Sequence, residues 1–482
     1  MKFDNSYVTL GERFFHRNDP TEVDDPQLFL WNHALAEHIG ITDDLINDKD
    51  TLARIFAGNQ TPEGAEPIST AYAGHQFGSF NPQLGDGRAH LLGEVLTVEG
   101  ERWDLQLKGS GTSAFSRGGD GRCAIGPAVR EFIMSEAMHA LGVPTTRCLA
   151  VVTTGEKVFR QGAHPGAVVT RLATSHLRVG TFQFFAARKD ADSLSALCDF
   201  AIERHYPEVK NSEKHRCVAL LDRVIENQIR LIVEWMRVGF IHGVMNTDNT
   251  AISGETIDFG PCAMMGVYDL ATVYSSIDHQ GRYAFGNQPH IAHWNMARFA
   301  ESLLPLLDTE DESLMQELTG LINNFPERFQ QAHRSMVAAK CGLLEVEDSD
   351  DELMDLLLQG IADAKLDYTI SFDLLTRSVK CEQARGEIAT QLGEVIERWH
   401  QRISTQDAEQ THACLRRSNP VVIPRNHHVE AVLQECEESG DPASALKMLD
   451  VLRQPYTQTE QTQAYQTPPE DGDRFYETFC GT

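Results

Sequence analysis

The sequence predicts an α+β protein in which a small β-rich part precedes a larger helical part. Three observations carry this prediction. Glycine-rich, strand-like stretches are concentrated between Tyr72 and Arg171, one amphipathic helix is set among them, and helical patterning dominates beyond residue 290. The chain has 482 residues, 41% of them hydrophobic, enough for two or three domains or one large elaborated unit.

Residues 1–70 carry mixed short elements and read as an N-terminal extension that leads into the Pro/Gly-rich surface connection Gln60–Pro67. Residues 71–165 hold the β-rich part. There Leu91–Val98 and Arg102–Lys108 flank the turn Glu99-Gly100-Glu101 as a hairpin. Trp103, Leu105 and Leu107 alternate with Asp104, Gln106 and Lys108, so one strand face is apolar and the other polar. A helix is expected from Pro127, a residue suited to a first turn, to about Leu141, with Gly142 and Pro144 beyond it. Val129, Phe132, Ile133, Ala137 and Ala140 form its apolar stripe. Val151–Thr153 and Ala167–Arg171 are further strands.

Residues 166–330 open the helical part, where Leu220–Val238 is a long amphipathic helix ending at Gly239. Residues 331–453 continue as a helical C-terminal region. The acidic run Glu345–Asp355 lacks the glycine and spacing of a calcium loop and reads as a solvated loop or helix start. Residues 454–482, Gln/Thr-rich and then Pro468-Pro469, read as a flexible tail bearing Cys480.

Net charge is −28, a field that repels nucleic-acid backbones and anionic lipid, so neither is an expected partner. No apolar run reaches the ~18 residues that span a bilayer. Met1-Lys2-Phe3-Asp4-Asn5 lacks the order of a secretory or transit signal, and a cytoplasmic location is expected. Ten cysteines are scattered without a Cys-x-x-Cys, the usage of reduced thiols. In so acidic a chain, a bound nucleotide has to meet a local basic cluster or a metal.

Such a cluster is present. Gly85-Asp86-Gly87-Arg88 precedes a strand; its glycines admit backbone N–H groups to phosphate oxygens, and Arg88 adds a bidentate guanidinium. Lys108 follows on the polar face of the next strand. Glycine loop, strand, turn, strand and lysine in that order are the phosphate-binding layout of protein kinases. The lysine needs a helix glutamate, and the helix offers Glu131 and Glu136. Periodicity favours Glu136, which falls in the apolar stripe.

Further on, Phe240-Ile241-His242-Gly243-Val244-Met245-Asn246-Thr247-Asp248-Asn249 precedes Ile257-Asp258-Phe259-Gly260. These match the kinase catalytic loop and Asp-Phe-Gly, with Asn249 and Asp258 as hard ligands for Mg²⁺ on a triphosphate. The expected architecture is therefore a protein-kinase-like bilobal fold, a small β-rich N-lobe and larger helical C-lobe with additional N- and C-terminal elements. Val244 stands where a kinase keeps its catalytic Asp and cannot accept a proton. Asp248 is the nearby carboxylate able to substitute. Between the halves, Lys108-Gly109-Ser110-Gly111, Arg117–Arg122, Arg171 and Arg178 make a basic, glycine-rich set that invites anion binding.

These residues resemble the selenoprotein O family of kinase-like proteins. The similarity runs through Phe3–Arg13, Tyr72–Gln76, Asn81–Arg88, Asp104–Arg122, Arg130–Arg147, Thr170–Gly180, Gly239–Gly260, Asp278–Pro289 and Asn419–Glu430, nearly the whole chain. The resemblance implies a protein adenylyltransferase that moves AMP from ATP, held in a flipped orientation, to Ser, Thr or Tyr hydroxyls of proteins with release of pyrophosphate. It implies nucleotide contacts from Gly85, Gly87, Arg88, Lys108, Asp120, Gly121, Arg171 and Arg178, and from Asp258 through the metal. It also implies Asp248 as proton acceptor, Asn249 and Asp258 as ligands of Mg²⁺ or Mn²⁺, and Glu131 rather than Glu136 as the partner of Lys108. UTP as an alternative donor belongs to the same family pattern.

A redox-active residue third from the C-terminus is a family feature, and Cys480 fills that place; Cys262 is its candidate partner. The tail Cys480-Gly481-Thr482 and the segment Gly111–Arg117 depart from the commoner family sequences without removing a proposed ligand. Two rival readings stay open. One is a kinase for a protein or small molecule with Asp248 as an unusual base; the other is a non-catalytic, nucleotide-binding pseudokinase scaffold.

Overall fold

The computed structural model describes residues 1–479. It is an α+β protein built on one antiparallel sheet, with strand order Phe15–Arg17, Ile68–Thr70, Ala89–Leu96, Arg102–Lys108, Ala163–Ala173, Arg147–Phe159, Gln27–Trp31. Cys123–Ala124 adds a short strand against Ala163–Ala173. The predicted hairpin is present, with Leu96 opposite Arg102 and Ala89 opposite Lys108.

The strands expected at Val151–Thr153 and Ala167–Arg171 are longer than their apolar cores, because pairing to each other and to Arg102–Lys108 satisfies the backbone of their polar ends. The expected boundary between residues 165 and 166 consequently falls inside a strand, and the sheet runs on to Ala173. Residues before 71 are woven into the same sheet. They supply Phe15–Arg17 at one edge and Gln27–Trp31 at the other, and the helix Lys49–Ala57 covers the outer face. Leu52, Ile55 and Phe56 pack there on Leu105, Leu107, Val152 and Val168, the apolar face read from the alternation.

The opposite face carries the helix Ile125–Ala140, which begins two residues before Pro127. Thirteen of its sixteen residues are buried, because the sheet lies on one side and the helices Asn426–Ser439 and Ala443–Leu452 on the other. A helix enclosed in this way has no solvent face, so an apolar stripe cannot identify which side meets the lysine.

Beyond the sheet, the helices Gln288–Leu303 and Phe325–Lys340 pack on Arg216–Val238, and Val179–Ala187 packs on Gln288–Leu303. That central helix ends at Gly239 and hands the chain to a two-stranded ribbon, Phe240–Ile241 paired with Ala263–Met264. Residues 242–262 are the loop held between the ribbon's strands. The hairpin Gly74–Gln76/Ser79–Asn81 stands over that loop. No helix among the described residues is long and apolar enough to cross a membrane.

The acidic run starts a helix, one of the two readings expected for it: Asp350 opens Asp350–Asp363 and is buried against Arg402, whose Nε donates to Asp350 Oδ1 at 2.7 Å. The stretch expected as a flexible tail is laid against the body as far as it is described. It forms the helix Glu460–Gln466, Tyr476 Oη donates to Glu430 Oε1 at 2.7 Å, and Thr478 Oγ1 donates to the Pro261 carbonyl at 2.7 Å.

Candidate active site

Lys108 ends its strand with its ammonium buried between two carboxylates. Nζ donates to Glu131 Oε2 at 2.6 Å and to Asp258 Oδ1. Arg171 lies opposite Gln106 in the adjoining strand. Its Nη1 donates to Glu131 Oε1 at 3.3 Å and lies 3.6 Å from Asp258 Oδ1. Two cations thus share two carboxylates, which satisfies the rule that buried charges are paired. Burial would raise the Asp258 carboxyl, but Lys108 and Arg171 hold it well below the usual carboxylate range. Asp258 also has φ of 70°, a left-handed conformation costly for a non-glycine residue and typical of functional turns.

The polar strand face continues the network. Arg171 Nε donates to Gln106 Oε1 at 2.7 Å, and the Gln106 amide donates to Asp86 Oδ2 at 3.2 Å. Asp86 also accepts from Thr70 N and Oγ1 and lies 3.7 Å from Arg178 Nη2. Arg178 stacks over the Tyr72 ring and donates to the Asp248 carbonyl at 2.7 Å. Sequence reasoning missed Tyr72, Asp86 and Gln106 as members of this network. Only the alternation of Gln106 with Lys108 on one strand face hinted at them.

A cavity of about 720 Å³ opens beside the ion cluster, lined by Arg88, Lys108, Glu131, Val244, Asn249 and Asp258. A larger one, about 1230 Å³, lies between the helices around Phe325 and Leu356, away from any of these residues. The smaller is the one with the chemistry. Asn249 Nδ2 donates to the Val244 carbonyl at 3.0 Å, which assigns Oδ1 as the donor-free end of the amide. Asn249 Oδ1 and the Asp258 carboxylate are hard oxygen ligands, a set that fits a divalent cation completed by phosphate oxygens and water. Among the described residues no group of three or more His, Cys, Asp or Glu could hold a metal by itself.

Asp248 sits beside this cavity without lining it. Burial pushes its carboxyl up to about 6, against the pull of Arg178. Such a group is largely ionised at neutral pH yet basic enough to take a proton. Val244, also buried, offers only its backbone.

The remaining predicted residues divide. Gly85 and Gly87 approach Phe115 so closely that a Cβ would fall 2.3 Å from its ring and 2.9 Å from its carbonyl oxygen. Their lack of a side chain is required by this packing, whatever backbone N–H groups they offer a ligand. Asp120 and Gly121 are not joined to the cluster: Asp120 pairs with Arg160, at 2.7 Å and 3.0 Å, at the surface. Glu136 is also elsewhere, in a bidentate pair with Arg147 at 2.7 Å. Cys262 is buried, and burial lifts its thiol to about 11. Cys480 lies outside the described residues.

The chain is similar to known proteins along its length. A family model described as protein adenylyltransferase SelO matches residues 1–453. Proteins named protein nucleotidyltransferase YdiU are similar over the full length. The one from Teredinibacter turnerae is 53% identical and covers 100% of both chains. Those from Anoxybacillus flavithermus and Geobacillus kaustophilus are 52% and 50% identical, each covering 100% of this chain and 99% of their own.

Proposed function

The chain belongs to the SelO protein adenylyltransferase family and is an enzyme, a protein nucleotidyltransferase; on that premise we propose that it moves AMP from metal-bound ATP to Ser, Thr or Tyr hydroxyls of proteins through the residues around Lys108. The sheet through Ala173 and the helical part beyond it are then the small and large lobes of a kinase-like fold. ATP occupies the cavity at their junction.

One observation carries the reading. The lysine, the helix glutamate and the Asp of Asp-Phe-Gly meet as a kinase would have them, but the position of the usual base is Val244 and the available carboxylate is Asp248. A base moved within the loop suits an acceptor approaching a different phosphorus.

In this reaction Lys108, Arg88, Arg171 and Arg178 counter the charge of the triphosphate. Asn249 and Asp258 would hold Mg²⁺, or Mn²⁺, which would supply Lewis-acid stabilisation of the phosphate charge. The acceptor oxygen forms a bond to the α-phosphorus as the bond to the bridging α,β oxygen breaks. Pyrophosphate leaves with that electron pair, and the hydroxyl proton passes to the Asp248 carboxylate. Asp120 and Gly121 reach the nucleotide only if their loop moves in over it, which requires release of Arg160. Cys262 and Cys480 are proposed as a redox pair: a disulfide such as oxidised glutathione would be reduced to two thiols as the two cysteines join. Support is the seat of Thr478 on Pro261, next in sequence to Cys262.

The test is parallel labelling with ATP carrying label at the α or the γ phosphate. Label retained from α alone is expected. Label retained from γ alone would make the protein a kinase.

A further inference from the structure

The hairpin Gly74–Gln76/Ser79–Asn81 is bound to the loop that carries Asp248 by a closed set of polar contacts. The His75 N–H donates to Thr247 Oγ1 at 2.7 Å, the Thr247 hydroxyl donates to Gln183 Oε1 at 2.7 Å, and the Gln183 amide donates to His75 Nδ1 at 2.9 Å. Two residues further, the Phe77 N–H donates to Asn246 Oδ1 at 3.0 Å, which also accepts from the Tyr283 hydroxyl at 2.7 Å. Phe77 adopts φ of 50° to make its contact, a conformation that a phenylalanine takes only when its surroundings over-determine it.

Two features of this assembly converge on the Asp248 carboxylate. The Gln76 amide donates to Oδ2 at 3.2 Å. Gly74 lies so near Oδ1 that a Cβ there would stand 2.5 Å from it. Oδ1 itself is buried and has no hydrogen-bond partner among the described residues. A buried carboxylate oxygen left without a donor is costly, and it leaves the Gln76 amide as the side-chain donor that orients the group. The acceptor of Asp248 is thereby differentiated: one oxygen is occupied by protein, the other is not.

We propose that Gln76 is a positioning residue, which holds Asp248 by Oδ2 and so fixes the carboxylate for the hydroxyl of the incoming protein. The proposal rests on Asp248 being the proton acceptor. Gln76 touches no phosphate and transfers no proton; it sets the direction in which the carboxylate points. Reactions of this kind lose rate steeply when the reacting groups are misplaced by even an ångström. The rigidity of the support explains why a short hairpin from the sheet part is fastened to the loop at three successive residues, Asn246, Thr247 and Asp248, rather than by one contact.

The test uses full-length protein, self-modification from α-labelled ATP, and the variants Gln76→Glu and Gln76→Leu. Glu keeps the size of Gln but brings no donor to Oδ2; Leu removes polarity altogether. Both are expected to lower the rate at saturating ATP on the order of 10²-fold, with KM for ATP within about two-fold of wild type. Thermal unfolding should be close to wild type for at least one of the pair, since Gln76 is only half-buried. Wild-type rates in either variant would overturn the proposal, as would a loss of ATP binding that matches the loss of rate. Asp248→Ala separates the two ideas. If it is inert while the Gln76 variants are fully active, only the positioning role fails; if it is active, the base assignment fails and the role of Gln76 fails with it.

Discussion

Lys108 Nζ lies 2.6 Å from Glu131 Oε2, although Glu131 stands off the apolar stripe of its helix and Glu136 stands on it. The pair links the lysine strand to the helix, and Asp258 joins it from the loop beyond the ribbon. Replacing Glu131 by Ala leaves a buried ammonium with half its compensation. The expected loss is about 3–5 kcal/mol of stability, measured by urea unfolding. Transfer should fall with it, whereas Glu136→Ala should destabilise through Arg147 and leave ATP binding intact. Equal ATP affinities in the two variants would refute the distinction.

Asp258→Ala should remove use of Mg²⁺·ATP, lowering transfer by at least about 100-fold. Chelation by EDTA should do the same to wild-type protein and be reversed by Mg²⁺ or Mn²⁺. Incorporation of α-labelled AMP that survives chelation would show that the Asn249 and Asp258 oxygens serve no metal.

Asp248→Ala should lower transfer by about 10²–10⁴-fold while Mg²⁺·ATP still binds. Calorimetric titration with ATP and α-label incorporation on the same preparation measure the two quantities. Normal transfer would mean that the proton goes elsewhere.

Glu255 supplies a pH dependence of stability outside the site. Burial raises its carboxyl to about 7 from an ordinary value of 4.5, against hydrogen bonds from Thr174 and Ser253. With the folded value raised, the proton favours the folded state. The contribution is complete below the unfolded value and is lost as pH rises through about 7. Tm should therefore fall between pH 5 and pH 8, and Glu255→Gln should flatten that fall by a few degrees. A Tm profile unchanged by the substitution would exclude Glu255 as its source.

Oxidised glutathione should produce a dithiothreitol-reversible shift in mobility on a non-reducing gel, absent in Cys262→Ser and in Cys480→Ser. Persistence of the shift in either variant would assign it to other cysteines. Cys198 and Cys217, whose sulfurs lie 3.6 Å apart in the helical part, are the first to examine in that event.

Much of the architecture follows from local pattern. The alternation in Trp103–Lys108 predicts both the strand and the face that Leu105 and Leu107 turn to the core, because a strand has a period of two whatever it pairs with. The helix up to Val238 is equally legible, since one side of it meets solvent. Pairing partners are less so. Residues 1–70 give short, weak signals, yet they close both edges of the sheet, a role set by chain segments far away in sequence. The end of the chain reads as polar and loose, and its seat on Arg130, Glu430 and Pro261 depends on surfaces that no local pattern describes.

What the sequence determined by itself is the chemical inventory: a glycine loop, a lysine on a polar strand face, an Asn and an Asp at metal-ligand spacing, and a valine where a base is expected. Residue type and spacing suffice for that, because each functional group has fixed donors, acceptors and charge. Tertiary structure decided who meets whom. It brought Glu131 rather than Glu136 to Lys108, kept Asp120 on Arg160, and laid the Gly74–Asn81 hairpin against Asp248. These choices turn on distances of a few ångström between segments remote in the chain, which periodicity cannot encode once an element is buried on every side.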